Sequence, residues 1–115
     1  MRIWDIPCSK LCNKHLLGEH RELHCIWTFI TTDKGGSYKK HPETLRWVGK
    51  LDALFWRHYE QKKEFEKRGF DHKSELPKDV VGDQGFQDKQ WQTLSEQIEI
   101  LKNKRCDCRL NEIKI

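Results

Sequence analysis

The residues best equipped for chemistry lie in one stretch near the start of the chain, His15-Leu16-Leu17-Gly18-Glu19-His20-Arg21-Glu22-Leu23. Two carboxylates, an arginine and two histidines are combined there with an apolar spacing that suits a helix. At about 100° per residue, Leu16, Leu23, Trp27 and Ile30 fall on one stripe that should face a core. His15, Gly18, Glu22 and Cys25 fall on a neighbouring stripe, and Arg21 lies further round. A carboxylate such as Glu22, set beside an apolar stripe with Arg21 and His15 nearby, can act as a general base. The same residue types also make an ordinary solvated helix face with charge pairs three and four positions apart. The residues alone leave both readings open.

Three segments carry the helical period needed to position this stretch. The first runs from about Cys12 to Thr31. Asp33 to Ser37, with two glycines, reads as a loop. The second runs from about Glu43 to Arg68, with Pro42 suited to the first turn and Gly69 to a C-terminal stop. Its inward stripe is Trp47, Leu51, Leu54, Phe55 and His58, and His58 there reads as a core histidine. Asp71 to Phe86 contains Pro77, Gly82 and Gly85 and reads as an irregular connection. The third helix is expected over Gln87 to Asn103, with Trp91, Leu94, Ile98 and Leu101 inward. Strand signals are weak. The expected fold is all-α: one compact domain over residues 1–115, with three main helices and an N-terminal segment packed against them.

The chain has 115 residues, of which 35% are charged and 36% hydrophobic. Five Trp and five Phe must therefore do much of the packing, because large aromatics bury the most area per residue. Trp4, Trp27, Trp47, Trp56 and Trp91 are expected mostly in the core, with Trp4 also able to shape a pocket near the N-terminal amine. The formal net charge is +4, which binds nucleic acid only if the basic residues cluster on one face. Lys39-Lys40-His41, Arg46, Lys50, Arg57, Lys62-Lys63 and Lys67-Arg68 are the basic residues of the middle. They read either as phosphate contacts sharing a face with Arg21 or as a solvated helix with interleaved glutamates. No apolar run is long enough to span a membrane, and the first residues lack a signal-peptide core, so a cytoplasmic protein is expected.

The His15–Leu23 stretch resembles the H-L-x-x-E-x-R-E-L signature of the pyrimidine-dimer DNA glycosylases, the phage endonuclease V family. The start of the chain aligns with that family without gaps, so that Arg2-Ile3 matches an Arg-Ile pair. Gly49 to Gly69, with Lys50-Leu51, Phe65 and Lys67-Arg68-Gly69-Phe70, is similar to the family's second helix and its K-R-G-F ending. His41-Pro42-Glu43-Thr44-Leu45-Arg46-Trp47 looks like a bacterial branch. The likeness covers roughly residues 1–78.

The resemblance implies a DNA-repair glycosylase with abasic-site lyase activity on cyclobutane pyrimidine dimers. In that scheme the α-amine of the first residue attacks C1′, the base leaves, a Schiff base forms and β-elimination breaks the strand. Met1 takes the nucleophile's place, and the bulk of Arg2 should keep Met1 from being removed. Glu22 matches the catalytic glutamate. Arg2, His15 and Arg21 match residues that grip DNA, and Lys14 replaces a glutamine beside them. The implied partner is damaged double-stranded DNA, bound by a monomer without a cofactor or a membrane. An α-amine suits the role: its pKa near 7.7–8.0, against about 10.4 for lysine, leaves a neutral fraction roughly a few hundred times larger at pH 7.

Two other readings come from different classes. One is a DNA-binding module of the same fold without catalysis. The other is a zinc-stabilised interaction domain, in which Cys8, Cys12, Cys106 and Cys108 supply four thiolates. The odd fifth cysteine and a reducing compartment instead favour free thiols.

Overall fold

The computed structural model describes residues 2–71, 75–76, 83–90, 92–104, 106 and 108–110. Its order is a 3-10 turn at Cys8–Lys10, helix α1 at Asn13–Thr31, a second 3-10 turn at Gly36–Lys40, then α2 at Pro42–Leu45, α3 at Leu51–Arg68 and α4 at Leu94–Lys102. No strand occurs among the described residues, so the all-α expectation holds. No helix among them is long and apolar enough to cross a membrane.

Helix α1 begins one residue after the expected start and buries Leu16, Leu23, Ile26 and Trp27, mainly against α3. The uninterrupted second helix expected from Glu43 to Arg68 is instead two helices. Pro42 does open α2, and the His41 side chain accepts the Glu43 N–H at 3.1 Å. The turn then tightens, with Trp47 and Val48 bonding back three residues, and Gly49 takes φ 77°. That left-handed backbone is open to glycine at little cost and ends the helical path. Helix α3 restarts with its free N–H groups served from a distance: the Asp83 carboxylate accepts from Leu51 at 3.0 Å and Asp52 at 2.8 Å. This acts as an N-cap supplied by a residue far along the chain. At the other end Gly69, at φ 78°, closes α3 as expected, with Phe70 N–H bonding Phe65 O at 2.9 Å.

The third helix is shorter than Gln87 to Asn103. Thr93 and Glu96 form a reciprocal capping box that starts α4 at Leu94. Residues 87–90 and 92 stay non-helical, and there Gln87 and Lys89 bond to Arg46. Trp91 lies outside the described residues. Trp4, Trp27 and Trp47 are buried as expected, but Trp56 is 51% exposed, because its position on α3 faces away from both core clusters.

The N-terminal segment organises the interior. Its side chains alternate as in an extended chain: Ile3 joins a cluster with Leu23, Ile26, Trp27 and Leu54, while Trp4 and Ile6 join one with Leu16, Phe65, Ile98 and Leu101. An extended backbone with no neighbouring strand must find other partners for its polar groups. Trp4 N–H donates to Glu19 at 2.7 Å and Asp5 N–H to Gln97 at 2.8 Å. Ile3 O accepts from Arg46 at 2.7 Å and Ile6 O from Arg57 at 2.8 Å. Four buried or half-buried side chains thus replace a β-ladder.

Arg57 also holds the buried Glu19 carboxylate at 2.8 and 2.9 Å. Substituting Arg57 by Met would strand that charge in the interior, so a loss of about 3–5 kcal/mol is expected. Glu60→Ala, which removes the exposed partner of the same arginine, should cost no more than about 1 kcal/mol. Urea unfolding of the two variants checks the contrast.

Candidate active site

The two glutamates of the His15–Leu23 stretch have separate fates. Glu19 is 1% exposed and its carboxylate accepts four hydrogen bonds, from Trp4 N–H, Arg57 Nε, Arg57 Nη2 and Gln61 Nε2. Burial would lower the Arg57 guanidinium, but the Glu19 charge outweighs it and the net displacement is upward. A carboxylate so fully engaged has no lone pair to spare for a proton in transit. Glu22, one turn on, is half-buried and has no hydrogen bond or ion pair among the described residues. It is the acid of the pair that can exchange a proton with a bound molecule.

Glu22 lies in an open cavity of about 590 Å³, lined by Arg2, Trp4, Lys14, His15, Gly18, Glu19, Glu22, His41 and Lys104. A cavity of this size is in the range that holds a small ligand or a nucleotide. Arg2 reaches it from the N-terminal segment, with its guanidinium 4.7 Å from the centre of the Trp4 ring and a hydrogen bond to Gln92. Burial holds that guanidinium below its ordinary value, against the opposing pull of Glu43. His15 meets the Trp4 ring edge-on at 6.1 Å. Burial first, then Lys104 and Lys14, hold its pKa below the ordinary value and favour neutral imidazole. Gly18 leaves the floor open: a Cβ there would meet nothing within 4 Å.

Of the residues singled out in the sequence, the structure brings Arg2, Lys14, His15 and Glu22 together. Arg21 is exposed and lies on another face of α1, in a shallow groove with Leu17, His20, His24 and Cys25. Met1 lies outside the described residues. Of the remaining wall residues, His41 was named among the basic residues of the middle but not as a site residue, and Lys104 was missed. His41 follows from the turn before α2, and Lys104 belongs to the last third of the chain, where nothing in the sequence pointed to the cavity.

Much of the basic middle segment is committed internally. Arg46 is 5% exposed and bonds Glu43, Asp5 and backbone oxygens. Lys50 pairs with Asp88 at 3.3 Å, Lys62 with Glu75 at 2.8 Å and Arg68 with Glu64 at 2.9 Å. His58 is buried, its ring 5.0 Å from both His20 and His24, as a core histidine should be. The four-thiolate grouping is not formed. Cys8 sits in the core with Glu60 at 4.0 Å, while Cys12, Cys106 and Cys108 gather around His15. Burial pushes the thiols of Cys8 and Cys108 up to about 12, so neither is a ready thiolate nucleophile.

A family model described as pyrimidine dimer DNA glycosylase matches residues 1–78. That span holds the N-terminal segment, α1, α2 and α3, and every wall residue of the cavity except Lys104. No curated protein and no solved structure matches the chain.

The contrast between the two glutamates has a stability signature. Glu19→Gln should cost about 3 kcal/mol or more, because it removes the buried counter-charge of Arg57 and leaves only the exposed Glu60. Glu22→Gln should change stability by no more than about 0.5 kcal/mol. Thermal melts of the two variants read this directly.

Proposed function

The chain belongs to the pyrimidine dimer DNA glycosylase family, and we propose that it excises UV-induced cyclobutane pyrimidine dimers and then cleaves the resulting abasic site as a lyase. The observation that carries the reading is the convergence of Arg2, Lys14, His15 and Glu22 on one open cavity beside Trp4. The proposed nucleophile is the α-amine of Met1, one peptide bond before Arg2.

In the proposed cycle the neutral amine forms a bond to C1′ of the damaged nucleoside, and the glycosidic bond breaks with its electron pair leaving on the base. Opening of the sugar ring puts a proton on O4′ and leaves an iminium at C1′. Loss of a C2′ proton then drives β-elimination, in which the C3′–O bond breaks and the 3′ phosphate leaves. In this scheme Glu22 donates the ring proton and takes the C2′ proton. Its lack of other partners among the described residues supports this role, and the fully engaged Glu19 is unsuited to it.

Arg2, Lys14, His15 and Arg21 are proposed to bind DNA. The first three line the cavity, where an extruded nucleotide would sit. Arg21, on the adjoining face, suits a phosphate further along the backbone. The Trp4 wall offers an aromatic surface near the extruded nucleotide. The whole scheme fits one domain acting as a monomer.

Glu22→Gln in untagged protein tests the proposal. Strand cleavage of a dimer-containing duplex should fall by on the order of 10²–10⁴-fold while duplex affinity is unchanged. Cleavage that survives the substitution would remove Glu22 from the mechanism. A wild-type protein that binds the duplex but never cleaves it would favour the non-catalytic DNA-binding module.

A further inference from the structure

We infer that Cys12, His15, Cys106 and Cys108 form a structural zinc site that ties the C-terminal segment to the start of α1. The four ligand atoms all lie within 4.8 Å of one another. His15 Nδ1 is 3.1 Å from Cys12 Sγ and 3.5 Å from Cys108 Sγ. Zinc bound at about 2.3 Å to sulfur and 2.0–2.1 Å to nitrogen needs ligand atoms roughly 3.5–3.8 Å apart, so the group requires only small shifts to close on an ion. Three soft thiolates and an imidazole gathered this closely are donors that select zinc, and four protein ligands make a closed, structural site.

The surroundings are built for such a group. Cys12 is the residue before α1, and its side chain makes no capping bond to the helix. His15 follows three positions later, which returns it to the same face of the first turn. The C-terminal segment is already held there, because Arg109 N–H donates to Lys10 O at 2.7 Å and Leu110 is buried in the core. Cys12 N–H points at Cys108 Sγ at 3.1 Å, the kind of backbone donor that steadies a metal-bound thiolate. A divalent cation would itself hold the three thiols ionised. The excess negative charge of three thiolates on one zinc would face Lys14 and Lys104, which share a cavity wall with His15.

The site also constrains His15. With Nδ1 turned to the thiols, any contact of this imidazole with DNA falls to Nε2. That corollary rests on the proposed function; the metal site itself does not.

The test is metal analysis of untagged protein purified with a mild reductant and zinc present. About one zinc per chain is expected. Alkylation mapping of the wild-type protein should show Cys12, Cys106 and Cys108 protected by zinc and exposed by a chelator, with Cys25 unaffected. Cobalt(II) in place of zinc should give the visible absorption of a tetrahedral thiolate site. Cys108→Ser should abolish that absorption, and Cys8→Ser should leave it intact. Zinc far below one per chain, or alkylation indifferent to the chelator, would overturn the inference. So would a disulfide among these cysteines in the purified protein. Zinc that survives Cys106→Ser but leaves with His24→Asn would place it at the His20, His24 and His58 cluster instead, and equally contradict it. None of these readouts depends on DNA cleavage.

Discussion

An extended segment that runs through a helical core has no strand beside it, so its backbone polar groups must be met by side chains. This constraint shapes the whole molecule. Glu19 and Arg57 hold the segment from α1 and α3, Arg46 from the turn after α2, and Gln97 from α4. Each of these groups is polar or charged and deeply placed, which is costly unless every bond is made. They are made in concert. Glu19 answers both Trp4 N–H and Arg57, and Arg46 is neutralised by Glu43 and Asp5 while it reaches Ile3 O. Helix packing and the path of the first residues are therefore one problem with one solution.

The same constraint separates structural charge from charge left for chemistry. The net charge of +4 suggests a mild basic surface, yet Arg46, Arg57 and Arg68 are engaged with backbone oxygens and buried or half-buried acids. The lysines and arginines that line the Glu22 cavity are fewer: Arg2, Lys14 and Lys104. Glu22 stands among them without a protein partner among the described residues. A site that is electropositive around one unengaged carboxylate is suited to an anionic backbone and to proton transfer at a sugar. This agrees with the family to which the chain belongs.

How much of this was legible depended on the range of the determining contact. Helix α1 was readable because its stripe of Leu16, Leu23 and Trp27 is a local pattern. The Gly69 stop was readable for the same reason. The break between α2 and α3 was not, because Arg46 and Trp47 look helical until Asp5, Ile3 O and Lys89 O are there to draw Arg46 away, and because the cap on α3 comes from Asp83. The start of α4 was written in Thr93 and Glu96, a local signal that the wider apolar period obscured. Glu19 and Glu22 are the same residue type one turn apart, and the contacts that distinguish them, from Trp4 N–H, Arg57 and Gln61, are distant in the chain. The cysteine grouping failed at one member, since Cys8 faces the core while His15, three residues after Cys12, takes the place beside the thiols.

The proposed nucleophile is the Met1 α-amine, acting with Glu22 as acid and base. Borohydride trapping of untagged protein on a duplex carrying a cyclobutane thymine dimer, followed by mass mapping of the adduct, tests it most directly. The account predicts a covalent adduct on the Met1 α-amine. An adduct on Lys14 or Lys104, the other amines that line the cavity, would contradict it, as would a chain that cleaves the duplex and yields no adduct.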